Sequence, residues 1–320
     1  MSKVNFLGED NFIRTMKTEN SEFRKAHVKQ GKFKSFDGTT LNYYFAIPDN
    51  ATKVVVFAHG FCEFFGKYHE YVWYLYQAGL GFYFLEQRGH GYSEGKMKEP
   101  DVVYIDDYNT YVEDFHVFMD KVVMPATSEM KRILIAHSMG GAVGTLFLES
   151  YQGYFDRTIL SSPMLKMKSV PSKLVIILIR IYAFLFGKRK SMAPRQKHFD
   201  AKPVFETSSA QSRARYDYMF EMRLKDEHYQ TYGAAIGWGL ASYKVHDRIF
   251  KNTSRLTLPI TVFTAGQDHL IDPDGYREFA AKVPHAKIIA FENSRHEIFN
   301  ATEETRNEYF RQVLEIVESL

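Results

Sequence analysis

Apolar and polar side chains alternate along residues 32–47, with Asp37-Gly38 in the middle of the stretch. A period of two predicts a half-buried strand, and an Asp-Gly pair inside it predicts a hairpin turn. Downstream the pattern changes to short continuous apolar runs at residues 54–58, 82–85, 133–136, 158–160, 260–264 and 288–291. These runs are rich in β-branched and aromatic residues, which predicts strands buried on both faces. Helical spacing lies between them: Tyr68, Tyr71, Val72, Leu75, Tyr76 and Gly79 recur at intervals of three and four, as do Val112, Phe115, Met119 and Val122. Strand alternating with helix predicts an α/β fold, a mostly parallel sheet with helices on both faces. In such a sheet ligand sites gather at the carboxyl ends of the strands.

The alternation stops after Ser162-Pro163 and resumes near Leu258-Pro259. Residues 164–250 have helical character and are expected to form a cap, inserted between a first core segment at 1–163 and a second at 251–320. Within the cap, residues 174–186 (LVIILIRIYAFLF) are apolar except for Arg180. Spanning a bilayer takes roughly 20 residues, so this segment is expected to bury its faces or to dip into an interface. Charge sharpens the expectation. Residues 163–203 carry ten Lys and Arg against Asp200 alone, a local balance of +9, whereas the whole chain is +3. A basic, apolar segment of this kind is expected to contact anionic lipid headgroups peripherally. A core-packing helix with solvated basic ends is the competing reading. Either encloses an apolar tunnel suited to an acyl chain.

The balance of 41 basic and 38 acidic residues gives no reason to expect nucleic acid as a partner. With 45% hydrophobic residues in 320 there is ample material for a core. Cys62 is the sole cysteine, which excludes an intrachain disulfide framework. From Met1-Ser2-Lys3 to Glu9-Asp10 there is no apolar run, so a cytoplasmic location is expected, with contact at the inner face of the membrane if the cap docks. Oligomeric state leaves no signal in the sequence.

A search for Gly-x-Ser-x-Gly finds Gly91-Tyr92-Ser93-Glu94-Gly95. The motif works by placing its serine on a strained strand-to-helix turn, and Lys96-Met97-Lys98-Glu99-Pro100 after it is no helix start. Ser138 has the required context with an imperfect string: a strand ending at Ala136, then His137-Ser138-Met139-Gly140-Gly141, then a helical run from Ala142. Ala136 stands where the motif has its first glycine. Ser138 is therefore the candidate nucleophile. A serine needs a base, and the base an orienting acid. The strand at 260–264 runs into Ala265-Gly266-Gln267-Asp268, and that at 288–291 into Asn293-Ser294-Arg295-His296. Asp268 and His296 thus follow the serine in the order nucleophile, acid, base. Asp272 and Asp274 are rival acids, but Pro273 and the helical run behind them suggest turn and capping roles. Two backbone N–H groups should form an oxyanion hole, one from Met139 and one from Phe61 in the loop His59-Gly60-Phe61. His69-Glu70 and His296-Glu297 are isolated pairs without metal-ligand spacing, so neither a metal nor a cofactor is expected.

These residues resemble the α/β-hydrolase superfamily and, within it, the monoacylglycerol lipase and bacterial lysophospholipase (PldB-type) branch. The resemblance spans about residues 30–318 and rests on Ala58-His59-Gly60-Phe61, Arg88-Gly89-His90-Gly91-Tyr92-Ser93, Ala136-His137-Ser138-Met139-Gly140-Gly141, Gly266-Gln267-Asp268 and His296-Glu297. It implies an α/β-hydrolase fold, a triad on Ser138, Asp268 and His296, and oxyanion amides on Phe61 and Met139. Alanine ahead of His-Ser is familiar in this branch. Glu86 departs from the usual Asp before Arg-Gly, which touches loop packing. Ser212-Arg213-Ala214-Arg215-Tyr216 and the stretch from Gly233 to Trp238 look more like the lysophospholipase side, which implies substrate contacts for Arg213, Arg215 and Trp238. The implied activity is a serine carboxylester hydrolase that cleaves one acyl chain from a lysophospholipid or monoacylglycerol. A serine aminopeptidase or amidase on the same triad, and a non-catalytic acyl-binding protein, are the alternatives.

Overall fold

The computed structural model describes residues 4–320; the Met1-Ser2-Lys3 start of the polar lead-in lies outside the described residues. That lead-in forms two helices, α1 (Glu9–Lys17) and α2 (Glu19–His27), ahead of the hairpin β1 (Lys29–Lys34) and β2 (Thr40–Ala46). Then come β3 (Lys53–Ala58), α3 (His69–Gln77), β4 (Gly81–Leu85) and a two-residue β5 (Val102–Val103). Helix α4 (Asn109–Phe118) passes through a π turn into the short α5 (Met124–Ala126), followed by β6 (Lys131–His137), α6 (Met139–Ser150) and β7 (Arg157–Ser161). Between β7 and the next strand of the main sheet lie α7 (Lys173–Leu185), α8 (Arg213–Lys225), a two-residue β8 (Gly233–Ala234) and α9 (Ile236–Ile249). The chain closes with β9 (Ile260–Ala265), α10 (Pro273–Lys282), β10 (Lys287–Phe291) and α11 (Glu303–Glu318).

Eight strands form one sheet in the order β1-β2-β4-β3-β6-β7-β9-β10. The β1–β2 and β2–β4 pairs are antiparallel and the others parallel. Successive side chains of a strand point to opposite faces, and here each face has its own core. Val54, Val56, Ala58, Leu134 and Ala136 pack with Phe115, Val143 and Phe279 on one side; Val55, Phe57, Ile133 and Ile135 pack with Val72, Leu75 and Val313 on the other. This is the α/β-hydrolase architecture. Strand β10 departs from the expectation of burial on both faces, because Ile288 and Ala290 are exposed while Phe291 is buried. It is an edge strand, and only the Ile289 and Phe291 face meets a core.

From β3 the chain moves to β4 on one side and later to β6 on the other. Where strand order reverses, the loops leaving adjacent strands diverge and open a crevice at their carboxyl ends. Ala58 pairs with Ala136 across that point, so the loop holding Phe61 and the turn holding Ser138 emerge side by side.

The expectation that the apolar segment buries its faces holds only for a seam. In α7, Ile176, Ile179 and Ala183 pack with Ile236 and Leu240 of α9. Leu174, Ile177, Leu178, Ile181, Phe184 and Leu185 are exposed on another stripe, Phe184 by 80%. Among the described residues no helix is long and apolar enough to cross a membrane.

Candidate active site

Ser138 sits between β6 and α6 with φ +52° and ψ −119°. A non-glycine residue at positive φ is strained, at a cost of about 1–3 kcal/mol, and needs surroundings that hold it there. Its N–H donates to the Ser161 carbonyl (3.1 Å), and its carbonyl accepts from Gly141 (2.8 Å) and Met164 (2.9 Å). The two glycines that follow are required by contact. A Cβ at Gly140 would lie 2.0 Å from the Ala58 carbonyl oxygen, and one at Gly141 2.5 Å from the Pro163 ring. The methyl of Ala136 is accommodated from the helix side, since a Cβ at Gly144 would stand 3.2 Å from it. The extra methyl at the position of the motif's first glycine is thus compensated by a glycine in the second turn of α6.

The Ser138 hydroxyl lies 2.8 Å from His296 Nε2, and His296 Nδ1 lies 2.7 Å from Asp268 Oδ2. The other carboxylate oxygen of Asp268 accepts the N–H groups of Leu270 (2.8 Å) and Ile271 (3.1 Å). Burial would raise the Asp268 pKa, but His296 and these two donors outweigh it and hold the carboxyl below its ordinary range. For His296 burial dominates over Asp268 and lowers its pKa below the ordinary imidazole value, which leaves the ring neutral and able to accept a proton at neutral pH. Asp272 is occupied otherwise: it caps α10 through the Asp274 N–H (3.0 Å) and pairs with Lys166 (3.0 Å). Ser93 is buried, with its hydroxyl between the Glu86 carbonyl and the Asn42 N–H.

Among the described residues, neither the Phe61 nor the Met139 N–H has a hydrogen-bond partner. The Met139 donor belongs to the first turn of α6, where an α-helix leaves its N–H groups free and its dipole favours negative charge. The loop carrying Phe61 is held from behind, by Cys62 N–H donating to His90 Nε2 (3.1 Å) and Gly60 N–H donating to Glu63 Oε2 (2.5 Å). Trp238 of α9 packs its ring on Phe61, with centroids 4.2 Å apart.

Arg213 and Arg215 of α8, expected to contact substrate, have their hydrogen-bond and ion-pair partners outside this group. Arg215 is buried and donates to Glu70 and to the Leu7 carbonyl and pairs with Glu9, while Arg213 is exposed and pairs with Asp217 (2.9 Å). Sequence reasoning missed a buried ion cluster behind Ser138 and His296. Lys67 Nζ bridges Glu63 (2.5 Å) and Glu297 (2.7 Å), and Glu63 also faces His137 Nδ1 (3.1 Å), all with side chains at most 12% exposed. Burial opposes the Glu63 charge, yet Lys67 and His137 hold the carboxyl well below its usual range. The cluster links the Phe61 loop, the residue before Ser138 and the residue after His296. The available signal was the i,i+4 spacing of Glu63 and Lys67. Glu86, buried and pushed up to about 7 by its burial, accepts from Phe65, Tyr92 and Asn42 and joins the two loops.

The family model Hydrolase_4, described as serine aminopeptidase, S33, matches residues 49–303. A probable lysophospholipase L2 of Haemophilus influenzae is 24% identical over 274 residues, covering 83% of this chain and 84% of that protein. A monoacylglycerol lipase of Mycolicibacterium smegmatis is 27% identical over 277 residues, covering 85% of this chain and 91% of that protein. A soluble variant of monoglyceride lipase from Saccharomyces cerevisiae, solved with a substrate analog, superposes with a TM-score of 0.71 at 17% identity, over 91% of this chain and 94% of that one.

Proposed function

The chain belongs to the Hydrolase_4 (serine aminopeptidase, S33) family, and from that premise we propose that it is a carboxylic ester hydrolase acting through Ser138, His296 and Asp268 on a lipid ester with a single acyl chain. The relatives named lysophospholipase and monoacylglycerol lipase support the ester class. The observation that carries the reading is the hydrogen-bonded chain from the Ser138 hydroxyl through His296 to Asp268. His296 takes the hydroxyl proton as Ser138 attacks the ester carbonyl, and returns it to the leaving alcohol. A water activated by His296 then releases the fatty acid from the acyl-enzyme. Asp268 holds the imidazole in the tautomer that presents Nε2 to the serine. The Phe61 and Met139 amides receive the oxyanion, each such donor being worth about 10²–10³ in rate.

The family description keeps an aminopeptidase reading in view. A peptide amino group needs a free carboxylate, and the two acids beside this site, Glu63 and Glu297, are both paired with Lys67. The ester reading is favoured for that reason. The helical insertion acts as a cap, and the exposed apolar stripe of α7 with Lys173 and Lys188 at its ends serves as the face that meets anionic membrane.

The test compares a short p-nitrophenyl ester, monoacylglycerol, lysophosphatidylcholine and an aminoacyl-nitroanilide, alongside fluorophosphonate labelling. Ser138→Ala is expected to abolish ester hydrolysis and labelling, and Ser93→Ala to retain both. Mass mapping of the label to Ser93, or turnover of the nitroanilide in preference to the esters, would overturn the proposal.

A further inference from the structure

Three arginines among the described residues are buried: Arg215, Arg223 and Arg306. Arg215 faces Glu70 and Glu9, and Arg306 lies 3.9 Å from Glu9 with its guanidinium on the Leu7 and Ala301 carbonyls. Arg223 differs. It is 8% exposed, no carboxylate comes within 4 Å of it, its Nε has no partner, and its one hydrogen bond runs from Nη2 to the Cys62 carbonyl (2.5 Å). Its guanidinium also stands 5.6 Å from the centre of the Phe64 ring. A buried charge with no carboxylate in contact is unfavourable; burial depresses the Arg223 pKa, and Glu297 and Glu63 oppose that only from beyond 4 Å. Such a cation, fixed in place with its Nε unpartnered and with the carboxylates that act on it already paired to Lys67, fits an anion that arrives with a ligand.

Its position says which ligand. Arg223 reaches from α8 to the carbonyl of Cys62, the residue directly after Phe61, whose N–H is the proposed oxyanion donor. Resting on that reading of the site, we infer that Arg223 is a specificity-determining residue that receives the phosphate of a glycerol-based acyl ester. In a lysophospholipid the ester oxygen, the glycerol carbons and the phosphate-ester oxygen separate the ester carbonyl from phosphorus, an offset on the order of one to two Cα-to-Cα steps of about 3.8 Å. A guanidinium matches phosphate oxygens with paired donors. A monoacylglycerol carries no charge there and leaves Arg223 unpaired. A site built around a polar group discriminates strongly against the analogue that lacks it.

The test measures kcat/KM of wild type, Arg223→Gln and Arg223→Lys on lysophosphatidylethanolamine, on monoacylglycerol with the same acyl chain, and on p-nitrophenyl butyrate. Arg223→Gln is expected to lose about 10-fold or more on the phospholipid, mainly in KM, with the two uncharged esters changed little, and Arg223→Lys to recover part of the loss. On wild type, glycerol 3-phosphate is expected to inhibit p-nitrophenyl butyrate hydrolysis competitively where glycerol does not, a readout that stands even if the variants fail to fold. An equal loss on all three esters would mean that Arg223 only positions the Cys62 loop, and would overturn the inference. So would inhibition by inorganic phosphate as strong as by glycerol 3-phosphate, which describes a free-anion site. Failure of Ser138→Ala to abolish turnover would instead sink the underlying site reading.

Discussion

At the Ala136 and Gly144 pair, two atoms decide whether an imperfect motif can form the turn. A methyl on residue 136 fits against α6 because residue 144 has none; a Cβ at Gly144 would also stand 3.0 Å from Leu134 Cδ2. Gly144→Ala is expected to destabilise the protein by about 1–3 kcal/mol through overpacking. Ala136→Gly in the same chain should restore part of that, a coupling that urea unfolding of the two single variants and the double variant would measure. At the acid, the competing positions are four residues apart. Asp268→Asn should lower turnover by about 10⁴, as in the protease precedent, by losing the imidazole tautomer. Asp272→Asn keeps a capping side chain on α10 and loses only the partly exposed ion pair with Lys166, with turnover nearly unchanged and stability down by at most about 1 kcal/mol. Steady-state kinetics on a soluble ester separates them, and a reversal of the two severities means that the acid is Asp272.

Element scale brings in α7. An ordinary amphipathic helix turns one apolar stripe inward and a polar one outward. Here the inward stripe is Ile176, Ile179 and Ala183, and a second apolar stripe faces out. The basic residues around it are not equally available: Lys166 pairs with Asp272 and Arg189 with Asp106, whereas Lys173 and Lys188 are exposed. If α7 docks on membrane as proposed, the apolar stripe is therefore expected to contribute most, at about 1.5–3 kcal/mol per fully buried large side chain. Leu178→Asp combined with Phe184→Asp should release the protein from anionic vesicles in flotation at low salt, with hydrolysis of a short soluble ester unchanged. Wild type that ignores such vesicles at low salt would refute membrane docking, and α7 would then be a lid over substrate taken from solution.

On the scale of the whole molecule, the N-terminal helix, the insertion and the C-terminal helix are tied by charge. Glu9 of α1 accepts from Ser212 and the Ala214 N–H at the start of α8 and pairs with Arg215, while Arg215 and Arg306 of α11 share the Leu7 carbonyl. Arg215→Ala would leave Glu70 buried without its cation, which typically costs about 3–5 kcal/mol. Arg213→Ala touches one exposed pair and should stay within about 0.5 kcal/mol. Chemical denaturation checks both, and an equal effect would mean that the Glu9 and Glu70 cluster does not hold α8 to the core.

The strands and the hairpin were legible in sequence because burial imposes its period directly on the chain: apolar runs at 54–58, 133–136 and 260–264 each fall inside an observed strand. Ser138, Asp268 and His296 could be named as candidates because each follows such a run. The edge character of β10 was not legible, since an apolar run does not record whether a helix covers both of its faces. Nor were α1 and α2, whose sparse apolar positions Phe12 and Phe23 make sense only against Tyr218 and Tyr76. The roles of the cap arginines were decided by tertiary structure alone. Arg213, Arg215 and Arg223 share one helix and one charge, and what separates them is the partner each meets: Asp217, then Glu70 and Glu9, and for Arg223 no carboxylate. Sequence determines which side chains carry charge, while the energy of a charge depends on its burial and its neighbours, and residues far apart along the chain supply both.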